Sequence, residues 1–182
     1  EKWPIFPMLD ILSIIATNNA FTAHLNDDTL ISWGQEMSGG VAPLLEKGIN
    51  VTAIRANNFS FVAILNNKKA ITWGRTGLSE KDTLVPDTAT IKDVFSIGMH
   101  HCAILSDNRL VFWGEKLNNK MKFVPFYTLI DPPKAGPVKA VIPTNKEFLL
   151  YISSKLLLSF NPSLNKLVEL PIPDGNEIAY WE

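Results

Sequence analysis

The chain has 182 residues, 46% of them apolar, and a formal charge of −1. That is enough for one compact domain with a sizeable core, and it excludes wholesale disorder. The charge balance argues against a nucleic-acid binder, and Cys102, the single cysteine, excludes an intrachain disulfide.

No apolar run reaches the length of a membrane span, so membrane insertion is not expected. Cys and His are not clustered at zinc spacing, and neither a metal nor a cofactor is expected. The opening "EKWPIFPMLD" does not begin with Met and shows no signal-peptide pattern. The chain therefore reads as processed or as a piece of something longer, soluble in the cytoplasm or secreted as an effector.

In chain order, residues 11–34 read "ILSIIATNNAFTAHLNDDTLISWG" and end on Trp33 and Gly34. Residues 51–74, "VTAIRANNFSFVAILNNKKAITWG", end on Trp73 and Gly74; residues 91–114, "IKDVFSIGMHHCAILSDNRLVFWG", end on Trp113 and Gly114. The three segments align without a gap at a period of 40 residues. Such a period is the mark of a repeat architecture. A fourth copy, "VKAVIPTNKEFLLYISSKLLLSFN" at 138–161, follows after seven inserted residues and replaces Trp-Gly by Phe160 and Asn161. Phe keeps a large aromatic plug, and Asn is the non-glycine residue most tolerant of positive φ.

Each unit predicts three short strands. The second, as in "FSFVAIL", is apolar on both faces and so is expected to be buried on both sides. Polar turns rich in Asn and Asp ("NDDT", "NNKK", "SDNR") join it to an alternating third strand. The Trp is expected to plug the space between neighbouring units, and the Gly to turn the chain where a Cβ would obstruct. Sheets this small must share a core with their neighbours. The expected fold is all-β: a propeller-like domain of about four blades, either a small closed ring or an arc of a larger one. The repeats run 11–50, 51–90, 91–137 and 138–177, with 1–10 and 178–182 as blade-closing or truncated segments.

The third unit, "GMHHCAILSDNRLVFWGE", resembles the regulator-of-chromosome-condensation (RCC1-like) repeat. Gly98, His100, Ala103, Asp107, Trp113 and Gly114 fall on that repeat's positions. Units one and two keep the Ala, the turn and the Trp-Gly but lack the Gly and His. The short, divergent repeats are similar to bacterial versions. The resemblance implies a propeller that binds a protein partner, in some members a small GTPase whose nucleotide exchange it accelerates. No wedge insertion of the kind used by such exchange factors can be matched.

Candidate sites are few. In "MHHC" (99–102), adjacent side chains point to opposite faces, so His100 is expected to pack rather than to bind metal. The acidic turns at 26–28 and 79–82 are expected to be solvated, and "GQEMSGG" lacks the spacing and Lys of a phosphate loop. No catalytic residue is nominated. The connection 115–137 has two readings. Residues 123–129 are expected as an outer strand whose lysines keep the edge soluble. Alternatively, Lys116, Lys120, Lys122, Phe123, Phe126 and Tyr127 form a partner-binding loop, since bases among aromatics typify interface anchors. The functional expectation is a non-catalytic protein-interaction platform. The alternatives are a GTPase exchange factor and a lectin-like or receptor-binding head, with the oligomeric state open.

Overall fold

The computed structural model describes residues 9–78, 84–153 and 155–172. The expectations for 1–8, for 178–182 and for the acidic turn at 79–82 lie outside the described residues. Among the described residues the structure is four antiparallel meanders in series. The first is β1 (Ile11–Ala16), β2 (Ala20–Leu25) and β3 (Leu30–Gly34), followed by a short 3-10 turn at Glu36–Ser38. The second is β4 (Val51–Ala56), β5 (Ser60–Leu65) and β6 (Ala70–Gly74). The third has four strands: β7 (Ile91–Ile97), β8 (His100–Leu105), β9 (Leu110–Leu117) and β10 (Phe123–Ile130). The fourth is β11 (Ala140–Pro143), β12 (Phe148–Ser153), β13 (Leu156–Asn161) and β14 (Lys166–Leu170).

The repeat is expressed residue by residue. Ile14, Ile54 and Val94 stand opposite Ala23, Ala63 and Ala103, and each first strand carries a register shift two residues into the pairing. The hairpin between second and third strands is one turn built three times. The amides of Thr29, Lys69 and Arg109 donate to the side chains of Asp27, Asn67 and Asp107 at 3.0, 2.9 and 3.1 Å. Asp28, Lys68 and Asn108 then take positive φ of 66°, 61° and 66°. A short side chain that bonds its own backbone makes this bend cheap.

The second strands of blades two and three are buried on both sides, every residue of β5 and of β8 being buried, whereas Phe21 of β2 is exposed. At each of the three described junctions, one face of a sheet packs on the sheet before it. Phe61, Ala63, Leu65 and Trp73 meet Ala20, Ile15 and Leu30 of the first blade. Ala103, Leu105, Val111 and Trp113 meet Val62 and Ile64 of the second. Phe148, Leu150, Leu158 and Phe160 meet Cys102, Ile104, Leu110 and Phe112 of the third. First strands lie side by side from β1 to β4, β7 and β11, forming the inner wall of an arc of propeller blades.

The Trp-Gly pairs divide the labour as expected, with two departures. Gly74 has a φ of 87°, and a Cβ there would stand 2.7 Å from the Phe59 carbonyl oxygen. Gly34 and Gly114 are enclosed in the same way, by the carbonyls of Asn19 and Met99. Asn161, however, is not among the positive-φ residues. It stays in strand geometry, pairing with Lys166, because β13 runs straight into a hairpin with β14; the left-handed residue is Asn165, in the turn. The second departure is Trp33, which stacks on Phe21 but is 44% exposed, because no described blade precedes it.

Candidate functional site

The connection between the third and fourth units forms an outer strand, β10, paired along its whole length with β9. Alternation then sends its side chains to two different faces. Phe126 turns towards the fourth blade, is 3% exposed and packs beside Phe160, so it belongs to the core. Phe123 and Tyr127 turn the other way and are exposed. Lys116, near the end of β9, sets its ammonium 5.3 Å from the centre of the Phe126 ring. Lys120 and Lys122 sit in and after the exposed turn organised by Asn118, whose side chain accepts from both of their amides. The expected loop cluster is thus split: an aromatic pair on one face, a lysine over a buried ring on the other.

Two residues absent from that expectation complete the surface. Arg75 and Glu115 each follow a Trp-Gly pair, and their Nε and Oε2 atoms lie 2.5 Å apart across the junction of blades two and three. No donor is well aligned on Oε2, so the contact is ionic in character. The Arg75 guanidinium also covers the Phe123 ring at 4.3 Å and flanks Phe59 at 5.8 Å. Gln35, Arg75 and Glu115 occupy one register, so opposite charges at equivalent positions of adjacent units are the signal that would have found this pair.

At the same end of the arc, backbone bonds stitch the turns between first and second strands. The Asn18 amide donates to the Asn58 carbonyl (3.0 Å), and the Asn58 amide to that of Gly98 (2.7 Å). None of the described backbone bonds continues from Gly98 to Asn145. The third junction instead opens into a cleft of about 510 Å³. Its walls are the 97–100 turn, residues 115–117, Phe123 and the turns of the fourth blade at 145–146 and 161–164.

The buried histidines and cysteine have structural surroundings. His101 stacks on Trp113 and is completely enclosed. Ser60 Oγ donates to Asn57 Oδ1 (2.9 Å), which leaves it to accept from His101 Nε2 (2.9 Å), while Ser96 Oγ lies 2.7 Å from Nδ1. This chain satisfies a neutral imidazole protonated on Nε2. Burial, with the neighbouring His100 adding to it, lowers the His101 pKa to about 3. Burial lowers that of His100 to about 4 and pushes the Cys102 thiol up. His100 lies edge-on to Phe126 at 5.8 Å. Among the described residues no group of three His, Cys, Asp or Glu side chains is placed to hold a metal ion. No helix among them is long and apolar enough to cross a membrane.

No protein-family model and no curated protein matches this sequence. Solved structures do. The CRINKLY WD40 ectodomain of the Arabidopsis thaliana receptor kinase ACR4 is similar with a TM-score of 0.58 and 19% identity, over 94% of this chain and 55% of that one. Prp20p of Saccharomyces cerevisiae, described with its binding to Gsp1p and histones, has a TM-score of 0.57 and 14% identity, over 87% and 47%. Human WBSCR16 has a TM-score of 0.62 and 12% identity, over 86% and 49%. These likenesses establish a propeller fold, and this chain spans about half the length of those it matches.

Proposed function

We propose that the protein is a non-catalytic interaction platform whose contact surface lies at the Trp-Gly end of blades two to four. The observation that carries this reading is the Arg75–Glu115–Phe123 node beside an open cleft, on an otherwise tightly repeated scaffold. Arg and aromatic side chains held rigidly at a surface are the groups that dominate binding energy in protein interfaces. The groups with the most perturbed protonation, His101 and Cys102, are sealed inside the sheets, where they reach no substrate. Propeller neighbours from receptor ectodomains and from Prp20p support a role in protein recognition by analogy of fold.

The test is affinity capture with the wild-type chain and with Arg75→Glu and Phe123→Ala. Loss of a specific partner in both variants, with unchanged melting of Leu44→Ala as a surface control, supports the reading. Equal capture by all forms would sink it. Guanine-nucleotide exchange is the second reading, motivated by the likeness to Prp20p and its stated binding to Gsp1p. Release of fluorescent GDP from a panel of small GTPases decides it: unaccelerated release across the panel removes this reading and leaves the platform.

A further inference from the structure

The platform reading leaves open what enters the cleft between the third and fourth blades. We propose that it takes an acidic polypeptide segment carrying one large apolar side chain. The proposal rests on the platform reading and specifies the chemistry of its partner.

The shape comes from the missing stitch. Where Asn18, Asn58 and Gly98 link their turns, the first two junctions are closed. At the third, the longer β9 and the start of β10 form one wall, and the turns of the fourth blade form the other. A volume of about 510 Å³ accommodates a leucine or phenylalanine side chain with a few units of backbone. Ile97, Met99, Leu117, Phe123 and Leu164 supply apolar surface, and Leu117 and Leu164 are exposed without a described partner to cover them.

The charge comes from three lysines. Lys116 and Lys146 line the cleft, and Lys120 lines a groove that continues from it past Lys116, Leu117 and Ser163. Among the described lining residues the only carboxylate, Glu115, is engaged by Arg75. Glu147, next to Lys146, turns its carboxylate to Ser159 and Asn161, and those bonds hold its pKa below the usual carboxylate range. Those bonds keep Glu147 ionised, so three lysines against this one carboxylate leave a positive excess among the described groups around the mouth. Lys116 is already steered by the Phe126 ring, so little side-chain freedom remains to be lost when a carboxylate arrives. A nucleic acid is the weaker match, because three lysines over an apolar floor make a small phosphate footprint and the overall charge is −1.

The experiment is a titration of the ¹⁵N-labelled protein, read from amide shifts. The probes are acetyl-Glu-Asp-Ser-Phe-Asp-Glu-amide, its lysine-for-acid counterpart, its serine-for-Phe counterpart, and an oligothymidine. The expected result is that only the first shifts the amides of Gly98, Leu117, Asn145 and Leu164, with saturation below about 2 mM. Added salt should weaken it, and Lys116→Glu with Lys146→Glu should weaken it at least about tenfold while the spectrum stays dispersed. Equal binding of the basic peptide, preference for the oligonucleotide, or no cleft shifts with the acidic peptide would each overturn the proposal. A silent cleft combined with partner loss in Arg75→Glu would leave the platform reading intact and remove only this one.

Discussion

Trp33 and Trp113 occupy the same position in two copies of one unit, yet Trp33 is 44% exposed and Trp113 fully buried. Each stacks on its cross-strand neighbour, Phe21 at 5.5 Å and His101 at 5.0 Å. The difference lies outside the unit. Trp113 is roofed by Val62 and Ile64 of the preceding blade, whereas no described blade precedes Trp33. Ile14 and Ile31 are exposed on the same uncovered face. In a repeat protein the unit supplies a complementary face, and burial energy is realised only at junctions.

The largest effect that follows is at a complete junction. Trp113→Ala should destabilise by about 3–5 kcal/mol, because the cavity cannot collapse between two sheets. Urea unfolding followed by circular dichroism measures it. A loss below about 1 kcal/mol would mean that the junction does not carry the fold.

The second test uses the ring beneath that Trp. Where blades one and two place Phe21 and Phe61, blade three places His101 within a chain of hydroxyls and an amide. The folded pKa of about 3 lies below the ordinary value of 6.5, so the unfolded chain binds the proton first as pH falls. The stabilisation is complete above pH 6.5 and lost on acidification, at up to about 1.4 kcal/mol per pH unit. His100 adds a loss of the same sign as pH falls from 6.5 towards about 4. Melting between pH 7.5 and pH 5 should therefore show a falling midpoint, and His101→Phe should flatten that fall. An unchanged slope in the variant would assign the pH dependence to other groups.

How much of this was legible in the sequence depends on what each feature is made of. The strands, their register and the Trp-Gly junctions depend on a period of 40, and periodicity survives divergence. The absence of the Gly from units one and two is also visible in the sequence, and its reason lies in the turns. Thr17 and Asn57 cap their turns with side-chain oxygens, accepting from Ala20 and Ser60, so those turns need no glycine. Ile97 has no such oxygen, and Gly98 takes a φ of 49° instead. The cleft was not legible, because it comes from a hydrogen bond that two junctions have and the third lacks. Asn161 misled for a related reason: identity at an aligned position does not fix φ when the following chain takes a different course.

Glycine gives a finer comparison of enclosed and open positions. Gly74 and Gly48 have nearly the same φ, 87° and 85°, but a Cβ at Gly48 meets nothing within 4 Å. Backbone strain is common to both, whereas only Gly74 adds collision with the Phe59 carbonyl and with Gly39. Gly74→Ala should cost about 1–3 kcal/mol more than Gly48→Ala. Equal losses would mean that conformation alone, and not enclosure, selects glycine after the Trp.

The smallest effect is the most informative about the open end. Trp33→Ala removes a ring that stacks on Phe21 but has water on its other side. Half-exposed stacking is worth about 0.5–1.5 kcal/mol, so the loss should be well under that of Trp113→Ala. Acrylamide quenching should likewise reach Trp33 far more readily than Trp113. If the two substitutions instead cost the same, the face bearing Phe21, Ile31 and Trp33 is covered in solution. The junction rule would then hold at every blade, and the unit would have realised all of the burial its sequence encodes.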